Sequence, residues 1–194
     1  MAHGPAEIGL VRPATAADAA AIARVHVASW RSTYPGQLPD QYLVGLSPEA
    51  HAARWQGLLN GRQRRTFVAI GENIAADGLP ATGVVGFSTC GPQRTDMRGY
   101  EGEFYAIYLY DHAQNQGHGR RLMATMATEL LAGGMRSACV WVLRDNPARW
   151  FYERLGGTRL AEQPITFAGT RLTEVAYGWL DLAPLARLSS YSEG

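Results

Sequence analysis

Apolar residues recur at helical spacing in several segments of the chain. In the first segment, Ile22, Val25 and Ser29 share one face with small alanines beside it, which predicts a helix that ends before Tyr34-Pro35-Gly36. A later segment carries two adjacent rows of leucine, methionine and alanine, and predicts an amphipathic helix that ends at Gly133-Gly134. Shorter helices are predicted over 39–46, 48–60 and 147–155.

Short apolar runs between these helices predict strands over 8–12, 66–70, 83–90, 103–109, 138–143, 158–160 and 172–179. The run over 103–109 is apolar almost throughout, which is typical of a central strand buried on both faces. Strands and helices that alternate in one chain indicate an α/β or an α+β sandwich. We expect a single domain over 1–182, followed by a loose tail from Ala183 to Gly194.

Composition narrows the classes of function. The 194 residues are 46% hydrophobic and 18% charged, which is typical of a globular soluble protein. The formal net charge of +1 argues against a nucleic-acid binder, and no apolar run reaches the roughly 20 residues of a membrane helix. The first residues lack a basic region followed by an apolar block, so no signal peptide is expected. Cys90 and Cys139 lie in strand-like surroundings, and we expect two buried, reduced thiols in a cytoplasmic protein.

The segment from Tyr105 to Leu131 carries the clearest chemical signal. A predicted strand runs through the turn Gln114-Asn115-Gln116-Gly117-His118-Gly119-Arg120 directly into a predicted helix. The N–H groups and the dipole of such a helix start bind phosphate. A P-loop would carry Lys-Ser/Thr where this chain has Arg120-Arg121, and a dinucleotide fold would need a third glycine at Leu122. The pattern that remains is Q-x-x-G-x-G.

Together with the preceding E-x-Y-x-I-Y-L, which starts at Glu103, this pattern resembles the signature of the GNAT superfamily of acyl-CoA-dependent N-acyltransferases. Asp145 to Gly157 is similar to the family's N-x-x-A-x-x-F-Y-x-x-x-G-F segment. Here Asn146 lies six residues before the tyrosine rather than seven, so either Asn146 or Asp145 is expected at the cofactor. Gly157 also replaces the usual phenylalanine. The likeness covers nearly the whole chain and implies a central mixed sheet of about seven strands, acetyl-CoA as acyl donor and a homodimer.

The resemblance also implies roles for individual residues. The pyrophosphate would bind the main-chain N–H groups of the turn, and the pantetheine arm would run beside the fourth strand, with the Leu109 N–H at the thioester oxygen. Glu103 is the expected base for the amine proton, and Tyr152 is the expected acid for the leaving thiolate. The cofactor-binding residues expected are Ile107, Tyr108, Leu109, Gln114, Asn115, Gln116, Gly117, His118, Gly119, Arg120 and Asn146, with Arg121 as an added charge.

Three residues of the first predicted helix are candidates for the acceptor pocket. His26, Trp30 and Tyr34 fall at i, i+4 and i+8, on one helical face. The resemblance implies that this helix lines the pocket, where aromatic walls suit an amine cation. Packing of the same face against the sheet is the alternative.

Tyr105 is expected to share the strand face of Glu103 by alternation, and to contact the acceptor, the cofactor or the core. His112 and His118 show no metal-ligand spacing. We therefore expect both histidines at the surface, and no metal site.

The predicted activity is acetyl transfer from acetyl-CoA to a primary amine. It is expected to be direct, within a ternary complex, because no cysteine lies in the motifs to carry the acyl group. Among acceptors, a small amine such as a polyamine, an amino acid or a drug is favoured. Acetylation of protein N-termini or lysines is one alternative. A catalytically weak acyl-CoA-binding sensor is another, although the retained Glu103 and Tyr152 argue against it.

Overall fold

A single sheet runs through the computed structural model, which describes residues 9–61, 64–74 and 80–190. Its seven strands follow the order β1-β2-β3-β4-β5-β7-β6. The parallel neighbours are β4 and β5, and the other neighbours are antiparallel, so the sheet is mixed as predicted. The strands are β1 (Val11–Pro13), β2 (Arg65–Ile74), β3 (Pro80–Pro92), β4 (Gly102–Leu109), β5 (Ala138–Leu143), β6 (Thr158–Phe167) and β7 (Thr170–Trp179).

Helices cover both faces of this sheet. The helices are α1 (Ala19–Thr33), α2 (Asp40–Val44), α3 (Pro48–Leu59), α4 (His118–Ala132), α5 (Ala148–Arg154) and α6 (Ala183–Ala186). Two cores follow from this arrangement: α1 and α3 pack on one face, around Ile22, Val25 and Phe87, and α4 packs on the other, around Leu122 and Met126. No helix in the described ranges has both the length and the apolar character needed to cross a membrane.

A charged pair stabilises the 3₁₀ turn Ala16–Asp18 that leads into α1. Asp18 closes a capping box with Thr15, and its carboxylate accepts two hydrogen bonds of 2.8 Å from Arg12. The Arg12 hydrogen bonds are the main reason why the pKa of Asp18 falls to about 2. Downstream, Ile22, Val25 and Ser29 are buried, which confirms the predicted inner face.

The end of the described chain is helical, whereas the sequence analysis expected a loose tail from Ala183. After α6, a 3₁₀ turn spans Arg187–Ser190, and both elements lie against α4. Leu182 and Leu185 are fully buried in the α4 core. Residues 191–194, and Ile8 of the predicted first strand, lie outside the described residues.

The sheet opens between β4 and β5. These strands pair at Gly102 and Glu103 only, and then separate. Against β3, the register moves from Phe104 to Ala106, so Tyr105 is the extra residue of a β-bulge. Tyr105 nevertheless lies beside Glu103, because the Arg94 guanidinium contacts both side chains.

Candidate active site

A cleft of about 570 Å³ occupies the gap between β4 and β5. Its walls come from α1, β4, the start of α4, β5, α5 and the β6–β7 hairpin. A volume of this size is typical of pockets for cofactors and small molecules. The aromatic residues Trp30, Tyr34, Tyr108, Tyr152 and Phe167 contribute to the walls.

The start of α4 forms one end of the cleft. Asn115 and Gly117 both adopt left-handed backbone conformations, with φ of 59° and 78°. The Arg121 N–H donates to the Gly117 carbonyl at 3.0 Å, so the N–H groups of the preceding turn point along the axis out of the helix. Because the helix dipole adds partial positive charge there, this end of the cleft fits a phosphate group.

The turn places only some of its residues on the cleft. Gln116 turns away and donates to the His112 carbonyl at 2.7 Å. His118 is 2% exposed, and burial lowers its pKa, so the prediction that it lies at the surface is wrong. His112 is exposed, as predicted. The turn residues on the cleft wall are Gln114, Asn115, Gly117, Gly119 and Arg120.

The two arginines at the start of α4 have different surroundings. Arg120 lines the cleft. Arg121 folds back over the turn, where its Nη2 donates to the Gln116 carbonyl at 3.0 Å and lies 3.3 Å from His118 Nδ1. Arg120 is therefore the arginine that can add charge at the cleft, while Arg121 supports the turn.

The main chain of β4 faces the gap at alternate residues. The Tyr110 N–H donates to a carbonyl of β3 at 2.9 Å, so the main-chain groups of Ile107 and Leu109 point the other way, toward β5. The Leu109 carbonyl accepts a hydrogen bond of 2.8 Å from Ser29. The main chain of Tyr108 pairs with β3, and Tyr108 lines the cleft with its ring.

Tyr152 lies on α5, beneath this gap. Its side chain lines the cleft and is 4% exposed. Burial raises the pKa of the Tyr152 phenol well above its usual range, and the neighbouring Tyr34 adds to this shift. Tyr152 is therefore a protonated phenol at neutral pH.

Asn146, rather than Asp145, reaches the cleft. The buried Asn146 accepts a hydrogen bond of 2.8 Å from the Ala148 N–H and donates to the Tyr34 hydroxyl at 3.2 Å. Asp145 is exposed and lies 3.7 Å from Arg144. Asn146 thus joins the start of α5 to the aromatic face of α1.

Glu103 lies behind Arg94 and is not part of the cleft wall. Its carboxylate is 2% exposed and accepts hydrogen bonds from Arg94 Nη2 at 2.5 Å and from the Arg94 main-chain N–H at 2.9 Å. The Arg94 guanidinium also stacks on the ring of Tyr105, which does line the cleft, at 3.8 Å. Arg94 therefore occupies the Glu103 carboxylate, and neither of the two residues contributes to the cleft wall. The role of Glu103 as a base stays a prediction that requires Arg94 to move.

The aromatic face of α1 divides between the cleft and the core. Trp30 and Tyr34 line the cleft. His26 does not: its ring stacks on Tyr108 at 5.2 Å, and its Nδ1 accepts a hydrogen bond of 3.4 Å from Trp55. Burial lowers the pKa of His26 to about 4. His26 is therefore a half-buried, neutral ring outside the cleft wall, which corrects its assignment to the acceptor pocket.

Two charged residues of the cleft wall, Arg154 and Glu174, were not predicted from the sequence. Glu174 of β7 pairs in register with Leu143 at the open end of β5. Its position depends on the pairing of strands that are distant in sequence, and no local motif marks it. Among the described residues, no group of three His, Cys, Asp or Glu side chains could hold a metal ion.

Comparison with known proteins places this geometry in a family. The family described as FR47-like protein matches residues 95–164. A protein of Bacillus subtilis (strain 168), named Uncharacterized N-acetyltransferase YuaI, is 40% identical over 178 residues, which are 92% of this chain and 96% of the relative.

Solved structures of acetyltransferases share the fold. The structure of yncA from Salmonella typhimurium, described as a putative acetyltransferase with its cofactor acetyl-CoA, is 21% identical with a TM-score of 0.60, over 90% of this chain and 94% of the other. A GNAT superfamily phosphinothricin acetyltransferase from Sinorhizobium meliloti is also 21% identical, with a TM-score of 0.59, over 88% and 87%. The open β4–β5 gap, the helix start that faces it and the relative from Bacillus subtilis lead to one conclusion: the chain belongs to the GNAT superfamily and is an N-acetyltransferase.

Proposed function

We propose that this enzyme transfers an acetyl group from acetyl-CoA to the primary amine of a small molecule. The observation that carries the proposal is the continuity of the cleft. It runs from the N–H groups at the start of α4, through the β4–β5 gap, to a chamber with apolar and aromatic walls. The chamber is lined by Trp30, Leu38, Ile165, Phe167 and Leu172. A phosphate-binding end joined to an amine-binding end matches the two substrates of such a transfer.

The residues of the cleft fit the donor. The N–H groups of the first turn of α4, with Arg120 beside them, would hold the pyrophosphate of acetyl-CoA. The main chains of Ile107 and Leu109 would hold the pantetheine arm as an added strand does. Acetyl-CoA supplies the thioester, whose oxygen the Leu109 N–H would bind.

Two side chains would move the protons. The amine nitrogen forms a bond to the thioester carbon while the carbon–sulfur bond breaks. Tyr152 gives its proton to the departing thiolate, and its buried, protonated phenol supports that role. Glu103 takes the amine proton after Arg94 has released its carboxylate.

The transfer would be direct rather than through an acyl-cysteine. Cys90 and Cys139 are fully buried, and neither lines the cleft. Burial raises the pKa of the Cys90 thiol to about 12 and that of the Cys139 thiol to about 11. Both are therefore protonated thiols at neutral pH and poor nucleophiles.

The roof of the chamber favours a small acceptor over a protein. Phe167, at the tip of the β6–β7 hairpin, lies 5.5 Å from Trp30 and 5.3 Å from Tyr42, measured between ring centroids. The hairpin thus contacts both α1 and α2 across the chamber. A folded protein would need this contact to open, whereas a small amine would not. The homodimer and the cytoplasmic location stay predictions.

Release of coenzyme A from acetyl-CoA, measured as free thiol across a panel of small amines and short peptides, tests this function. Turnover with a small amine and none with peptides is the expected result. A thermal shift with acetyl-CoA tests the donor separately. A melting temperature that does not change with acetyl-CoA would show that the donor assignment is wrong.

A further inference from the structure

Glu174 is the one carboxylate among the described residues that line the cleft. It lies on β7 opposite Leu143, where β5 has already separated from β4. Along β7, Val175 packs in the α4 core, whereas Leu172 packs with the residues of α1 and α2. Because side chains alternate along a strand, Glu174 shares the face of Leu172. Its carboxylate therefore belongs to the chamber and not to the phosphate-binding end.

The carboxylate retains capacity for a ligand. Gln163 on β6 donates to Glu174 Oε1 at 2.7 Å, which fixes the side chain beside the chamber. An ionised carboxylate has about four acceptor positions, so one such contact leaves room for an ammonium group. Gln163 stays compatible with this role because its amide is neutral.

The side chains around Glu174 determine which class of acceptor amine the chamber can bind. The positively charged residues of the cleft wall are Arg120 and Arg154, and both belong to the helices α4 and α5 on the other face of the sheet. The chamber itself is lined by apolar and aromatic side chains, from Trp30, Leu38, Ile165, Phe167 and Leu172. An ammonium group would meet Glu174 and aromatic rings there, whereas a carboxylate beside the amine would meet a like charge.

From this arrangement we infer that Glu174 binds the ammonium group of the incoming acceptor, before the nitrogen loses its proton and attacks the thioester, and that the acceptor is an amine with an apolar body and no adjacent carboxylate. The inference deepens the proposed function, on which it rests, because it selects within the small amines. Aralkyl and alkyl amines fit the chamber, and α-amino acids do not.

Two probes that differ by one carboxylate test this inference. Phenethylamine and phenylalanine share the same amine and ring, and each is titrated calorimetrically into the protein, with and without saturating coenzyme A. Phenethylamine should bind at least roughly tenfold more tightly than phenylalanine, as expected for a charge-assisted hydrogen bond. Glu174→Gln, which keeps the shape and the contact with Gln163, should remove most of that difference.

Glu162→Gln is the matched control. Glu162 lies on the adjacent strand β6, is exposed and pairs with Arg144 and Arg159 outside the cleft. The Glu162→Gln variant loses the same charge as Glu174→Gln, and its Kd for phenethylamine should equal that of the wild type. The inference is overturned if phenethylamine fails to bind, if phenylalanine binds equally well, or if Glu174→Gln binds as the wild type does. A thermal shift with coenzyme A, run on all three proteins, tells whether the donor site itself is intact.

Discussion

Arg94 holds Glu103 through its guanidinium and its main-chain N–H at the same time. The shortest contact is 2.5 Å, from Arg94 Nη2 to Glu103 Oε1, and the carboxylate is almost completely buried. Arg94 itself is half exposed, on the loop between β3 and β4. The proposed base is therefore buried beneath a partner whose own side chain reaches solvent, and catalysis by Glu103 requires the guanidinium to leave the carboxylate.

This relationship predicts different effects for the two partners. Glu103→Gln removes the base, and kcat should fall by roughly a hundredfold or more. Arg94→Ala uncovers the carboxylate, so kcat should be retained or raised, whereas the melting temperature should fall because a buried charge loses its partner. Steady-state kinetics and thermal melts of both variants measure these outcomes.

Glu101→Gln is the control for this pair. Glu101 lies two residues away and is exposed, and its carboxylate accepts a hydrogen bond of 2.6 Å from the Arg136 N–H. It should leave kcat unchanged. If Glu103→Gln kept full kcat and lost only thermal stability, the ion pair would be structural and the base would have to be sought elsewhere.

Tyr152 predicts the alkaline behaviour of the enzyme. Burial raises the phenol pKa above its ordinary value of 10, so the protonated form, which is the active one, persists as the pH rises and is lost only above that value. We therefore expect no alkaline decline of kcat up to about pH 10. Tyr152→Phe should lower kcat by roughly 10²- to 10⁴-fold, with little change in the Kd for acetyl-CoA.

Tyr177→Phe provides the comparison for Tyr152. The Tyr177 hydroxyl donates to Glu153 at 2.6 Å and does not line the cleft. Loss of that hydroxyl should lower the melting temperature and leave kcat unchanged. An equal loss of kcat in both phenylalanine variants would remove the argument that Tyr152 is the acid.

Periodicity and turn chemistry were sufficient to predict most of the fold. The buried face of α1 follows from Ile22, Val25 and Ser29, and the helix start at Gly117 follows from the glycine-rich turn between a strand and an amphipathic pattern. The mixed sheet was implied by the family resemblance. These features depend on residues that are close in sequence. Local patterns are informative about such features because helical and strand periods are themselves local.

The positions of the site residues that the sequence did not predict depend on contacts between distant segments of the chain. His26 has the spacing of a pocket residue, yet its ring bonds Trp55 of α3 and does not line the cleft. Glu103 has the position of a base, yet the conformation of the β3–β4 loop gives it Arg94 as a partner. Glu174 reaches the cleft through strand register alone. Sequence spacing contains no information about these tertiary pairings.

His26 predicts a loss of stability in mild acid. Its pKa is about 4 in the folded chain against 6.5 as the ordinary value, so the unfolded chain binds the proton more readily. The contribution of the neutral His26 ring to the free energy of unfolding is complete above pH 6.5. It declines as the pH falls from 6.5 toward 4. His26→Gln should therefore flatten the dependence of the urea midpoint on pH in this window. An NMR titration in which the His26 ring protonates near pH 6.5 would contradict the prediction.

Substitution of the neighbouring residues Arg120 and Arg121 of α4 should have different effects: the first on the affinity for the donor, the second on the stability of the fold. Arg120 lines the cleft at the proposed pyrophosphate position, so Arg120→Ala should weaken acetyl-CoA binding by roughly tenfold, the effect of one charge-assisted hydrogen bond. Arg121 instead supports the turn through the Gln116 carbonyl and lies against the His118 ring. Arg121→Ala should lower the melting temperature and change the Kd for acetyl-CoA much less.

The salt dependence of acetyl-CoA binding separates charge from shape in this pair. If Arg120 acts by its charge, Arg120→Lys should restore most of the affinity, and the affinity of Arg120→Ala should depend less on salt than that of the wild type. Calorimetric titrations at low and high salt, together with melts of each variant, measure this. Equal losses of affinity in Arg120→Ala and Arg121→Ala would mean that the phosphate is held by the integrity of the turn. In that case its main-chain N–H groups, and not the cleft-facing guanidinium, would account for binding of the donor.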